Sequence, residues 1–84
     1  MDSFNPSKIP EQPNTLINNS KSVVGYSYDA TNYILDVWFK GKSSSIYRYF
    51  LVYPNMVSNI FDQPNSVGKA LKQNLNGLQY QKLR

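Results

Sequence analysis

Cysteine and histidine are both missing from the chain, and the two absences remove whole classes of chemistry. Without thiols there is no disulfide staple and no thiolate zinc site, and without imidazole there is no proton shuttle tuned to neutral pH. Acidic residues are few. Asp2, Glu11, Asp29, Asp36 and Asp62 stand apart, with no pairing that suggests a carboxylate dyad or an oxygen-rich metal cage. Charged residues make up 17% of the chain, below the usual quarter, so solubility rests on Asn, Gln and Ser. No apolar run reaches the length of a membrane span, and the first thirteen residues, with three prolines, offer no signal-peptide core. The expectation is a non-enzymatic, cytoplasmic binder with no cofactor, no metal and no membrane partner.

What is present points to anions and flat ligands. Net charge is +4 with a pI near 9.4, and aromatic residues are 14% of the chain, a combination that attracts phosphates, nucleic acid or acidic surfaces. Eighty-four residues suffice for one domain with a small core. Residues 15–84 are read as that domain, and residues 1–14, with Pro6, Pro10 and Pro13 among polar neighbours, as a flexible arm. A core this small makes a homo-oligomer a reasonable expectation.

Periodicity sets the fold class. Val24, Tyr26 and Tyr28 alternate with Val23, Gly25 and Ser27, and Asp29-Ala30-Thr31-Asn32 supplies a turn. Tyr33, Leu35, Val37 and Phe39 then alternate with Ile34, Asp36, Trp38 and Lys40, the first set being the expected core face. After Gly41–Ser44 the strand Ser45–Val52 returns, with Tyr47, Tyr49 and Leu51 on one face and Ile46, Arg48 and Phe50 on the other. Thr15–Ile17 has the character of a strand start. Beyond Pro54 the period lengthens: Met56, Val57, Ile60 and Phe61 mark one helix, and Val67, Leu71, Leu75 and Leu78, after a Ser66 cap, mark another that is broken around Gly77. The predicted architecture is α+β: a three-stranded antiparallel meander over about residues 22–52, followed by two short helices at about 54–62 and 66–76.

The order of these pieces resembles the KTSC family, a short domain found at the C-terminus of some lysyl-tRNA synthetases and as stand-alone bacterial and phage proteins. The matching residues are Ser20 and Ser22, Gly25 with Tyr26 or Tyr28 and Asp29, Leu35-Asp36-Val37-Trp38-Phe39, Tyr47 and Tyr49, Val52 and Pro54, Ser66 and Gly68, and Tyr80. Together they span about Ser20 to Leu83. The chain departs from the pattern in three places: Tyr53 separates the valine from the proline, two residues separate Gly25 from Tyr28, and Asn76 stands where the family often carries a basic residue. The resemblance implies a small three-stranded sheet with helices and suggests RNA binding. It brings no established chemistry with it.

Two groups of residues are candidates for a site. Ser66, Gly68 and Lys69 open a helix, with Lys72 one turn on, where free N–H groups and the helix dipole favour an anion. The plainer reading is a simple cap, with Gly68 permitting close packing. Tyr47 and Tyr49 can stack a base, or pack into the core as cross-strand aromatics. Arg48 points from the opposite face, and Tyr53 lies at the strand exit; both are counted with the ligand-binding candidates. Ile34, Trp38 and Phe50 form a second apolar surface suited to a subunit interface or to a stacking platform. Asp36 is placed to pair with Arg48 or Lys40 across strands.

Three functions fit these features. The first is capture of a nucleotide-type anion without turnover, as in a phage sponge that sequesters host immune signal nucleotides. The second is binding of RNA or another single-stranded nucleic acid. The third is docking on an enzyme as a protein inhibitor through the Trp38 face.

Overall fold

Alternating apolar residues build the centre of a sheet, and backbone pairing extends it at both edges. The computed structural model describes residues 12–18, 20–41, 45–62 and 66–84. Its strands are β1 (Thr15–Leu16), β2 (Val23–Asp29), β3 (Ile34–Phe39), β4 (Ile46–Tyr49) and β5 (Tyr80–Lys82), with helices α1 (Pro54–Phe61) and α2 (Val67–Leu75) inserted between β4 and β5. The sheet order is β1-β2-β3-β4-β5, and every neighbouring pair is antiparallel. The expected three-stranded meander is therefore corrected to a five-stranded sheet. Both added strands are short and wholly exposed, so no hydrophobic alternation marks them.

Two strand ends also differ from expectation, and for the same reason. Tyr33 and Leu51 adopt left-handed backbone conformations, with φ of 57° and 60°. Such a conformation ends a strand. Tyr33 thus falls outside β3 and off the core face, while Leu51 turns the chain out of β4 towards α1. The carbonyl of Tyr33 accepts a hydrogen bond from the Val52 N–H at 2.9 Å, which ties the two turns together. The turn before Tyr33 is held by Asp29, whose Oδ1 accepts from the Thr31 and Asn32 N–H groups.

A bulge in β2 decides which valine enters the core. The register slips between Val23 and Gly25, so Val24 is the extra residue and Val23 falls on the same side as Tyr26 and Tyr28. Strict alternation assigns Val23 to the opposite face. Val23, Leu35, Val37 and Val52 pack with Ile60 of α1 and Val67, Leu71 and Leu75 of α2 to form the main core. Both helices therefore lie on one face of the sheet.

The other face is closed as well. Ile34, Trp38 and Ile46 are buried there, beside Asp36 and Arg48. Asp36 and Arg48 sit opposite each other in the β3–β4 register, and Arg48 Nε and Nη2 donate to Asp36 Oδ1 and Oδ2 at 2.8 and 2.9 Å. Pro13 lies against Gly25 on this face, where a Cβ would meet both Pro13 and the Thr15 carbonyl. The Asn14 N–H donates to Ser27 Oγ at 2.8 Å, fixing the approach to β1. Of the arm expected over residues 1–14, residues 1–11 lie outside the described residues. No helix among those described is long and apolar enough to cross a membrane.

Candidate functional site

Alternation along β4 turns Ile46 and Arg48 to the closed face and leaves Tyr47 and Tyr49 half-buried on the helix side. β5 extends that surface, because residues directly opposite in an antiparallel pair share a face. Tyr80 lies opposite Tyr49, and Lys82 opposite Tyr47. The three rings form a cluster, with centroid separations of 6.5 Å for Tyr47–Tyr49, 5.7 Å for Tyr47–Tyr80 and 5.9 Å for Tyr49–Tyr80. Phe39 meets Tyr47 edge-on at 5.5 Å from the neighbouring strand.

Helix α2 forms the opposite wall. Ser66 is its N-cap, its hydroxyl oxygen accepting from the Lys69 N–H at 3.3 Å. Gly68 brings the first turn close to the sheet, since a Cβ there would stand 2.6 Å from Ser22 Oγ. Gly77, with φ of 86°, turns the chain after the helix and into β5. Between the helix and the sheet runs an open groove of about 1130 Å³, lined by Tyr47, Tyr49 and Tyr80 on one side, by Ser66, Lys69, Lys72 and Gln73 on the other, and by Phe39, Leu71, Leu75 and Leu78 below.

The electrostatics of this groove are one-sided. Lys69 and Lys72 are exposed and three residues apart on one helix, so their ammonium groups share a face. No acidic side chain is among the described residues that line the groove. Burial pushes the Tyr49 phenol above its ordinary value of 10.0, with Tyr47 and Tyr80 adding to the shift. The Tyr49 phenol therefore stays neutral at physiological pH and can donate a hydrogen bond. Among the described residues there is no cluster of three or more His, Cys, Asp or Glu side chains that could hold a metal ion.

Six of the eight ligand-binding candidates line this groove: Tyr47, Tyr49, Ser66, Gly68, Lys69 and Lys72. Arg48 does not. It is buried across the sheet in its ion pair with Asp36, so its charge is directed away from the groove. Tyr53 is also elsewhere, at the start of α1, where its ring meets Tyr33 edge-on at 4.8 Å. Of the proposed interface residues, Ile34 and Trp38 are 7% and 3% exposed within the single chain, and Phe50 is half-buried. An uncovered Ile34–Trp38 surface is thus corrected to a second buried layer.

The groove residue that sequence reasoning left without a role is Tyr80. The sequence marks it only as the last residue of the family pattern, and it acquires a place in the groove once β5 is paired with β4.

No protein-family model and no curated protein matches the sequence. Among solved structures, the chain is similar to the crystal structure of a KTSC domain protein from Yersinia pestis, with a TM-score of 0.69 and 22% identity, covering 87% of this chain and 94% of that one. The two share their fold across almost the whole of both chains.

Proposed function

We propose that the chain is a non-catalytic binding module of KTSC type that captures a nucleotide-type anion in the groove between α2 and the β4–β5 edge. One observation carries this reading: three tyrosine rings and two lysines line a single groove. Rings supply a stacking surface that any base can use, and ammonium groups supply the counter-charge for phosphate. The KTSC assignment is supported by the order of motifs from Ser20 to Tyr80 together with the shared fold. Capture without turnover is the behaviour of a sponge for signal nucleotides, and the sequence holds no cysteine or histidine to attack a bound one.

Isothermal titration with cyclic dinucleotides, ADP-ribose and ADP checks the proposal. The expected result is saturable binding that weakens by about tenfold or more when Lys69 and Lys72 are both changed to Ala. Absence of heat with all three ligands at high protein concentration rejects it.

A second reading has its own support. The groove is open along its length, and its volume of about 1130 Å³ is larger than a pocket shaped for one small ligand. A single-stranded RNA would lie along such a trough. Binding of short oligonucleotides that is tighter than that of ADP, and that falls steeply with salt, favours this reading over the first.

A further inference from the structure

Large apolar side chains left in water gather at one end of the sheet. Among the exposed ones described, Leu16 is on β1 and Tyr80 belongs to the groove, while Tyr33, Leu51 and Tyr53, which are 38%, 60% and 46% exposed, sit together. The Tyr33 and Tyr53 rings meet edge-on at 4.8 Å, and the Val52 N–H beside Leu51 donates to the Tyr33 carbonyl. Tyr33 and Leu51 both hold left-handed backbone, a conformation unfavourable for bulky side chains, and for Leu51 burial in its own chain offsets little of that strain. A strained apolar cluster facing water marks an interaction surface.

Charge narrows what that surface meets. Residues 29–35 and 49–61, which form this end of the sheet and lead into α1, contain no Lys or Arg. Asp29 engages both carboxylate oxygens with Thr31 and Asn32 in its own turn. The exposed cations lie at the opposite end of the strands: Lys21 precedes β2, Lys40 follows β3, Lys82 closes β5, and the Arg84 carbonyl accepts from Ile46 at the start of β4. Lys69 joins them, since Gly68 packs against Ser22. On a chain of net charge +4, close approach of two copies is opposed least at the end that carries Tyr33, Leu51 and Tyr53.

We infer that Tyr33, Leu51 and Tyr53 form a self-complementary contact through which two copies of the chain join about a twofold axis. An isologous contact sets the same patch on both sides, so two apolar faces free of cations meet and the basic ends point apart. A second copy also adds apolar burial that a chain of eighty-four residues has in short supply. The tyrosines suit such a place, because a ring buries while its hydroxyl reaches the wet rim. The subunit contact thereby moves to the strand ends from the Ile34–Trp38 layer, which is buried within the single chain. This inference goes beyond the groove reading and does not depend on it.

Sedimentation velocity of the whole chain over a rising concentration series tests the contact. The expected result is a monomer–dimer equilibrium that stops at two and persists in high salt, where screening weakens repulsion between the basic ends. Leu51→Gly and Tyr53→Ser strip the patch without harm to the single chain, because glycine accepts the left-handed backbone and serine is a better helix N-cap than tyrosine. Each is expected to weaken dimerisation by about tenfold or more while circular dichroism shows the fold retained. Leu16→Ser, at an exposed leucine on β1, should leave the dimer unchanged. A chain that stays monomeric at every concentration, a dimer that survives both patch substitutions or is lost equally in Leu16→Ser, or assembly that continues past two overturns the proposal.

Discussion

Removing either partner of the Asp36–Arg48 pair strands the other in a site that water does not reach, since the two side chains are 0% and 2% exposed. Arg48→Met or Asp36→Asn alone should therefore lower stability by about 3–5 kcal/mol in urea denaturation, whereas replacing both with apolar residues should cost far less. The sequence leaves Asp36 to pair with Arg48 or Lys40, and the β3–β4 register, which sets Asp36 opposite Arg48, decides between them. Alternation puts Arg48 on the face away from Tyr47 and Tyr49, so its place outside the groove follows from β4 alone. Glycines give a sharper contrast. A methyl at Gly25 meets backbone at Thr15 and the ring of Pro13, while at Gly68 it meets only the Ser22 hydroxyl, which can rotate away. Gly25→Ala is expected to lower stability by about 1–3 kcal/mol, through overpacking. Gly68→Ala should be close to neutral, because helix propensity returns about 1 kcal/mol. Thermal melts of the two variants check the difference.

At the scale of elements, legibility follows length. β2 to β4 carry enough residues for a period to register, and each helix presents at least four apolar positions. β1 and β5 have two and three residues, every one exposed, and they exist because backbone groups at the sheet edge find partners. β1 shows only as the strand start expected at Thr15–Ile17, and β5, held through its backbone, leaves no mark in the pattern of side chains. Nor can that pattern announce where a strand stops when the stop is a left-handed Tyr33 or Leu51 and not a proline or glycine. Leu51 is 60% exposed, so little burial offsets its backbone strain, and Leu51→Gly should raise stability by roughly 0.5 kcal/mol, the strain relieved exceeding the added chain entropy. The connector after it is anchored by Tyr28, whose hydroxyl donates to the Val52 carbonyl at 2.6 Å. Burial first, and then Tyr33 and Asp29, push the Tyr28 phenol above 10.0, as burial does for Tyr49. In each case the folded value exceeds the unfolded one. The stability these neutral phenols contribute is complete below about pH 10 and is lost as pH rises through the folded values. Melting midpoints between pH 8 and 11 should fall above pH 10, and the fall should be shallower in the Tyr28→Phe, Tyr49→Phe double variant.

For the whole molecule, the deciding question is how many phosphates the groove engages. A chain with net charge +4 attracts any polyanion at long range, so binding at low salt does not separate a nucleotide from a strand. The salt slope does. Each phosphate neutralised by a Lys or Arg releases counterions from a single strand with a slope of about 0.7 in log affinity against log salt, and a short ligand lacks that condensed atmosphere. A nucleotide held by Lys69 and Lys72 should therefore show a shallow dependence. A strand lying along the groove also passes the β5 edge, where Lys82 sits opposite Tyr47, and each further ionic contact there steepens the slope. Affinities for ADP and for a short oligonucleotide, measured from 50 to 300 mM salt, should diverge accordingly if the groove accepts both. Changing Lys82 to Ala discriminates further. It should leave ADP binding unaltered, because Lys69 and Lys72 hold its phosphates, and should reduce the oligonucleotide slope by about one contact. Loss of ADP affinity in that variant would move the phosphate site from α2 to the sheet edge, and the helix would then serve the groove only as a wall.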